Sequence, residues 1–169
     1  MRAAICTAAW KDGPSVGSQA VEILLVEDNP NDLRLTLAAF AEHRTTQPVR
    51  VVRDGEEALE FLFCTGAYAH RRMDRPPRLV VLDLKLPKLD GIEVLQRIKA
   101  DPQTRSIPVV VLTGSREERD LARSYDLGAN SYVVKPVDFD QFSEAIRDLG
   151  LYWLLRNEPP PLLPPEAGT

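Results

Sequence analysis

Two cysteines, Cys6 and Cys64, are all that 169 residues hold. That is too few for a disulfide framework, and their separation has no metal-binding spacing. Two reduced thiols are expected, as in a cytoplasmic protein. No apolar run approaches the roughly 18 residues of a membrane span. The first 20 residues, MRAAICTAAWKDGPSVGSQA, have an apolar part broken by Thr7, Lys11 and Asp12, so no export signal is expected. There is no basic excess either. The formal net charge is -4, which gives no global footprint for nucleic acid. Histidine is as scarce as cysteine. His43 and His70 lie in polar surroundings and are expected in solvent. The first apolar run is followed by EDNPND rather than a glycine-rich phosphate loop, which argues against a nucleotide-binding domain.

What is present is a full globular core. Hydrophobic residues make up 44% of the chain, which argues against whole-chain disorder, and the length suits one domain. Strand-like and helix-like segments alternate. VEILLVED (21–28), VRVVRD (49–54), LVVLD (79–83), IPVVVLTG (107–114) and SYVVK (131–135) have strand length and strand composition. Each precedes a helical pattern, as in Leu33, Leu37 and Phe40, or Phe139, Phe142, Ile146 and Leu149. Asn29 is placed to cap the first helix, Asp54 and Asp90 the second and third, and Gly128 to stop the fourth. The strands lack polar alternation, as strands covered on both faces do. The expected fold is α/β, doubly wound, with five parallel strands. Residues 21–156 form the domain. Residues 1–20 are expected to be a loose leader and the proline-rich 157–169 an extended tail. The only long internal connection, 65–77, is basic and polar, and is expected to be a surface excursion in which Arg71 and Arg72 are solvated, as is Lys88 in the loop after the third strand.

Ligands of an open parallel sheet bind at the carboxyl ends of its strands. Those ends carry Glu27 and Asp28, Asp54, Asp83, Thr113, and Lys135. Any one of them alone is an ordinary strand end, cap or solvated charge. Together they place acids, a hydroxyl and a lysine on one edge. Clustered carboxylates repel, and a divalent cation resolves the repulsion. Oxygen-only donors suit Mg2+ better than zinc. A magnesium-assisted phosphoryl acceptor or transfer site follows, with an aspartate as a possible nucleophile.

Four segments then carry a resemblance. LLVEDNPND, LVVLDLKLPKLDG, PVVVLTG and YVVKPVD are similar in order and spacing to the motifs of the response-regulator receiver (CheY-like) domain, over about residues 21–150. The resemblance implies a flavodoxin-like fold. It implies that Asp83 is the phosphoacceptor for a histidine kinase, and that Glu27 and Asp28 hold Mg2+ with Asp83 and the Lys85 carbonyl. It further implies that Thr113 is the switch hydroxyl, Lys135 the lysine that pairs with the phosphoryl group, and Tyr132 the aromatic that turns inward with Thr113. Glu27 stands where many members have aspartate. EDNPNDLRLT, the Tyr68-containing loop and SYDLGANSYVVKPVDFDQF are also similar to small regulators paired with bacterial and cyanobacterial phytochromes, which implies a phytochrome-type kinase as partner.

The implied protein is not an enzyme beyond its own phosphoryl uptake and loss. A phosphorelay intermediate is one alternative. A small-molecule phosphotransferase is another, but enzymes of the haloacid-dehalogenase type place an acid two residues after the nucleophile, and Lys85 stands there. A receiver-shaped module without phosphorylation would lack one of the acids, Thr113 or Lys135. With only a short segment after the last helix, no output domain is expected, and output is expected through a protein contact or by passing the phosphoryl group onward. Leu151, Tyr152, Trp153, Leu154 and Leu155 cannot all face inward on one helix. Tyr152, Trp153 and Leu154 are therefore expected to form a homodimer interface.

Overall fold

The computed structural model describes residues 23–42, 48–114, 116–135 and 138–158. The proposed leader, and the tail from residue 159 onward, lie outside the described residues. Five strands and five helices alternate: β1 (Ile23–Val26), α1 (Pro30–Glu42), β2 (Val49–Val52), α2 (Gly55–Phe63), β3 (Leu79–Leu82), α3 (Gly91–Ala100), β4 (Val109–Thr113), α4 (Glu118–Asp126), β5 (Ser131–Val134) and α5 (Phe139–Gly150). The strands form one parallel sheet in the order β2-β1-β3-β4-β5. The expected α/β fold is the observed one.

The strands lack polar alternation because both faces of the sheet are covered. Leu24, Val26, Val80, Leu82, Val109 and Val111 point to the α2 and α3 side, where Leu59, Phe61, Leu95 and Ile98 meet them. The alternate residues Ile23, Leu25, Leu79, Val81, Val110 and Leu112 point to the other side, against Leu33 and Phe40 of α1 and Phe142 and Ile146 of α5. Each residue of the central strands β1 and β3 is thus apolar whichever way it points.

The chain's order decides where a site can form. It runs from β1 outward to β2, then returns past β1 to β3 and on to β5. The loops leaving β1 and β3 therefore part in opposite directions and leave a crevice between them. Two glycines let the loop after β3 pack closely on its neighbours. A Cβ on Gly91 would lie 2.3 Å from the Asp83 carbonyl oxygen, and one on Gly55 would lie 2.4 Å from the Leu89 carbonyl oxygen. The Asp-Gly pairs at 54–55 and 90–91 do cap their helices, since Asp54 accepts from Glu57 N–H at 2.8 Å and Asp90 from Ile92 N–H at 2.7 Å. Their glycines serve a second purpose, which is backbone-to-backbone approach.

Of the surface expectations, the one for Arg71 changes. The 65–77 segment is a surface excursion, as expected, but an anchored one. It forms a 3-10 turn, Gly66–Tyr68, and Tyr68 is buried, its hydroxyl donating to Glu57 at 2.7 Å and accepting from Arg50 at 2.6 Å. Arg71 is half-buried, with its guanidinium 3.5 Å from the centre of the Phe61 ring and a hydrogen bond to the Phe61 carbonyl. A planar cation above a ring face is attracted to it, which draws the residue out of solvent. Lys88 is exposed, as expected, and is in addition ion-paired with Asp54 at 2.6 Å.

At the C-terminus the chain passes Gly150 without breaking and continues as a π-helical segment, Leu151–Arg156. Trp153 does not face out. It is partly buried and packs on the α1–α5 core. Tyr152 is exposed, with its ring edge-on to Trp153 at 5.0 Å. The Leu154 side chain lies outside the described residues.

Candidate functional site

The backbone ladder continues one residue beyond the strands and holds the functional residues at their ends. Glu27 N–H donates to the Val52 carbonyl at 3.1 Å, and Asp83 N–H donates to that of Val26 at 3.1 Å. Lys135 N–H donates to the Thr113 carbonyl at 2.8 Å. These side chains therefore stand on the rigid edge of the sheet rather than on free loops.

They converge on one point. Lys135 Nζ lies 2.6 Å from Glu27 Oε2, 2.8 Å from Asp83 Oδ2 and 2.8 Å from Asp32 Oδ2. Carboxylate oxygens of Glu27, Asp32 and Asp83 all lie within 4.8 Å of one another. The second oxygens of two of these acids are held by backbone. Glu27 Oε1 accepts from Asn29 N–H at 3.0 Å, and Asp83 Oδ1 accepts from Lys85 N–H at 3.3 Å. Glu27 and Asp83 are buried, and the Asp32 side chain is one-third exposed.

Electrostatics follow from this crowding. Burial pushes the Glu27 carboxyl above the usual carboxylate range, even though Lys135 pulls it down. Burial alone would lower the Lys135 ammonium, but hydrogen bonds to Asp32, Asp83 and Glu27 hold it well above the usual lysine range. With all groups ionised, three carboxylates share one ammonium, and negative charge is left over. A hard, oxygen-seeking divalent cation fits that excess and that donor set.

Of the sequence-predicted residues, the structure brings together Glu27, Asp83 and Lys135. Thr113 is fully buried at the end of the adjacent β4. Tyr132, on β5, is half-buried beside the α2–α3 core. It lines a hollow of about 360 Å³ with Arg116, Glu117, Glu118, Leu121 and Val134. Lys85 keeps its side chain in solvent. Asp28 is exposed and stands outside the carboxylate group, where Asp32 takes the third place.

Asp32 does not lie at a strand end, so a strand-end pattern passes over it. A signal existed nonetheless. Asn29 Oδ1 accepts from Asn31 N–H at 2.9 Å and from Asp32 N–H at 3.4 Å, which starts α1 immediately after β1. The first turn of a helix that begins so close to a strand end lies over that end, so an acid there joins it.

This geometry is matched by known proteins. The family model described as the response regulator receiver domain matches residues 23–147. The chain belongs to the response-regulator receiver family. Response regulator Rcp1 of Synechocystis sp. is 39% identical over 132 residues, which cover 78% of this chain and 88% of Rcp1. The crystal structure of Rcp1 in its Mn2+-bound form superposes with a TM-score of 0.73 at 38% identity, covering 82% of this chain and 98% of that one. The phosphorylated cyanobacterial phytochrome response regulator RcpA gives a TM-score of 0.76 at 42% identity, covering 82% and 97%. The bacteriophytochrome response regulator AtBRR is 58% identical with a TM-score of 0.65, covering 80% and 96%. This receiver chain is thus homologous to phytochrome-associated regulators across nearly their whole length. Among the described residues no helix is long and apolar enough to cross a membrane.

Proposed function

We propose that this receiver takes a phosphoryl group on Asp83 from a histidine kinase of the phytochrome type, and signals by changing its protein contacts. The observation that carries this is the convergence of Asp83, Glu27, Asp32 and Lys135 on one point at the switch of the sheet. In the reaction an Asp83 carboxylate oxygen attacks the phosphorus of a phosphohistidine. The phosphorus–nitrogen bond breaks, the imidazole leaves with its electron pair, and an acyl phosphate remains on Asp83.

The residues fit Mg2+ as the resident ion. Glu27, Asp83 and the Lys85 carbonyl would hold it, with Asp28 or Asp32 as the further carboxylate. When bound, the ion offsets charge on the phosphoryl oxygens. Lys135 would follow Asp83 and bind a phosphoryl oxygen, leaving Glu27 and Asp32. Thr113 and Tyr132 lie on neighbouring strands in the same direction along the sheet, which supports a paired switch between the site and the α4–β5 surface.

A phosphotransfer panel tests the partner. A phytochrome-type kinase, autophosphorylated on its histidine, should pass its label to this chain at least about tenfold faster than kinases of other sensory classes. Equal or absent transfer from the phytochrome type would overturn that assignment.

A homodimer through the C-terminal segment belongs to the same proposal. Tyr152 presents half of its surface to solvent while its ring is steadied against Trp153, an anchor of the kind that suits an interface. Sedimentation velocity at micromolar concentration should show a dimer, and Tyr152→Glu should shift it to monomer. A wild-type monomer with and without phosphorylation would refute the dimer.

A further inference from the structure

The loop that follows the phosphoacceptor, Leu84–Asp90, is pinned at its far end by a feature outside the site. Lys88 adopts φ 63, a left-handed conformation that non-glycine residues rarely take. In that conformation Lys88 Nζ lies 2.6 Å from Asp54 Oδ2 and 3.9 Å from Glu56. Asp54 comes from a different unit, the β2–α2 connection, and is already fixed there, because its other oxygen caps α2 through Glu57 N–H at 2.8 Å. The next loop residue, Leu89, lies over Gly55, where any side chain would strike its carbonyl. Two successive loop residues therefore sit on two successive residues at the start of α2.

At its near end the same loop is closed by Gly91 N–H to the Leu84 carbonyl at 2.9 Å. Between these two attachments lies Lys85, whose N–H holds Asp83 Oδ1. We infer that Lys88 and Asp54 form a latch that positions the Asp83–Lys85 segment for metal binding and phosphoryl uptake. The inference rests on the proposed role of Asp83.

An ordinary exposed ion pair would contribute little. This one differs in three respects. One partner is fixed by a helix cap, the Asp54 side chain is only 14% exposed, and the backbone of the other is held in an uncommon conformation. Lys88 and Asp54 touch none of the reacting groups, so both are positioning residues.

Substitutions can separate the charge from the backbone. Lys88→Gly accepts φ 63 without strain and removes the ammonium. Asp54→Asn keeps a capping oxygen and removes the charge. Each should weaken Mg2+ affinity, read by calorimetry, and slow acetyl phosphate labelling by about tenfold, as loss of an outer partner of a metal site does. The double variant should be no worse than either single one, and Lys88→Arg, which keeps the charge, should show little of the loss. Amide hydrogen exchange at Lys85–Leu89 should quicken in Lys88→Gly and Asp54→Asn while exchange in β1 and β3 stays unchanged. Wild-type Mg2+ affinity and labelling rate in both single variants would overturn the latch, even if their unfolding midpoints fell. If wild type took no label, or Asp83→Asn still took it, the reading of Asp83 would fall instead. Exchange at Lys85–Leu89 would then decide the latch by itself.

Discussion

Asp83→Asn should take no phosphoryl group from acetyl phosphate or from a kinase, a loss of at least about hundredfold in labelling. Intact-mass measurement after reaction reads it directly. The amide keeps the size of the carboxylate and an oxygen for Lys85 N–H, so the strand end is preserved. It lacks the anionic oxygen that attacks phosphorus. It also removes one of three mutually repelling charges, so the ion-free variant should be at least as stable as wild type. Persistent labelling would place the acceptor on another acid. Asp28 and Asp32 are the two to test next, since Asp28 lies in the β1–α1 connection, Asp32 lies in the first turn of α1, and Asp32 already reaches Lys135.

Lys135→Ala should have the second largest effect, and it should be on stability as well as signalling. Lys135 is the cation shared by Glu27, Asp32 and Asp83, and its side chain is 10% exposed. Removing it leaves three carboxylates facing one another with no shared ammonium. Breaking a buried pair of this kind costs about 3 kcal/mol, and protonation of Glu27 will relieve part of it. Urea unfolding in the presence of a chelator should show the full loss. Added Mg2+ should then stabilise the variant more than it stabilises wild type, because the ion no longer displaces an ammonium from the same oxygens. Phosphorylation of the variant should fail to produce the change in conformation that wild type shows. Equal Mg2+ stabilisation of the two proteins would mean that lysine and ion do not compete for these acids. A normal phosphorylation-induced change would refute the role of Lys135 in the switch.

The two expectations together describe a balanced site. In the ion-free state Lys135 supplies the positive charge that the acids need, and the site is held closed on itself. A divalent ion and a phosphoryl group each redistribute that balance. The latch at Lys88 and Asp54 acts on the same balance from outside, by holding the loop that contains Lys85 in place. It also links the site to α2, an element with no residue in the carboxylate group.

Much of this was legible before any coordinates. Two-sided apolar strands such as Leu79–Leu82 require a sheet buried on both faces, and helical spacing between them requires parallel crossovers. The positions of Glu27, Asp83 and Lys135 at strand ends followed from that, because parallel strands all deliver their C-terminal residues to one edge. The capping roles of Asn29, Asp54 and Asp90 were local and equally readable.

Other features depend on which pieces lie side by side, and no local pattern encodes that. Asp32 joins the site because α1 starts immediately over the end of β1, whereas Asp28, adjacent to Glu27 in sequence, faces solvent. Lys88 and Asp54 are 34 residues apart and meet only because the β3 loop lies over the start of α2. Trp153 is partly buried on the core and Tyr152 exposed because the helical path continues beyond Gly150 and carries the two adjacent residues to different sides. The sequence by itself determined the layered α/β fold and three of the four groups that meet at its edge, since burial and strand direction are written in local composition. Only the tertiary structure decided the fourth group, the latch and the face of the C-terminal segment, because each is set by how close two distant stretches of backbone come to one another.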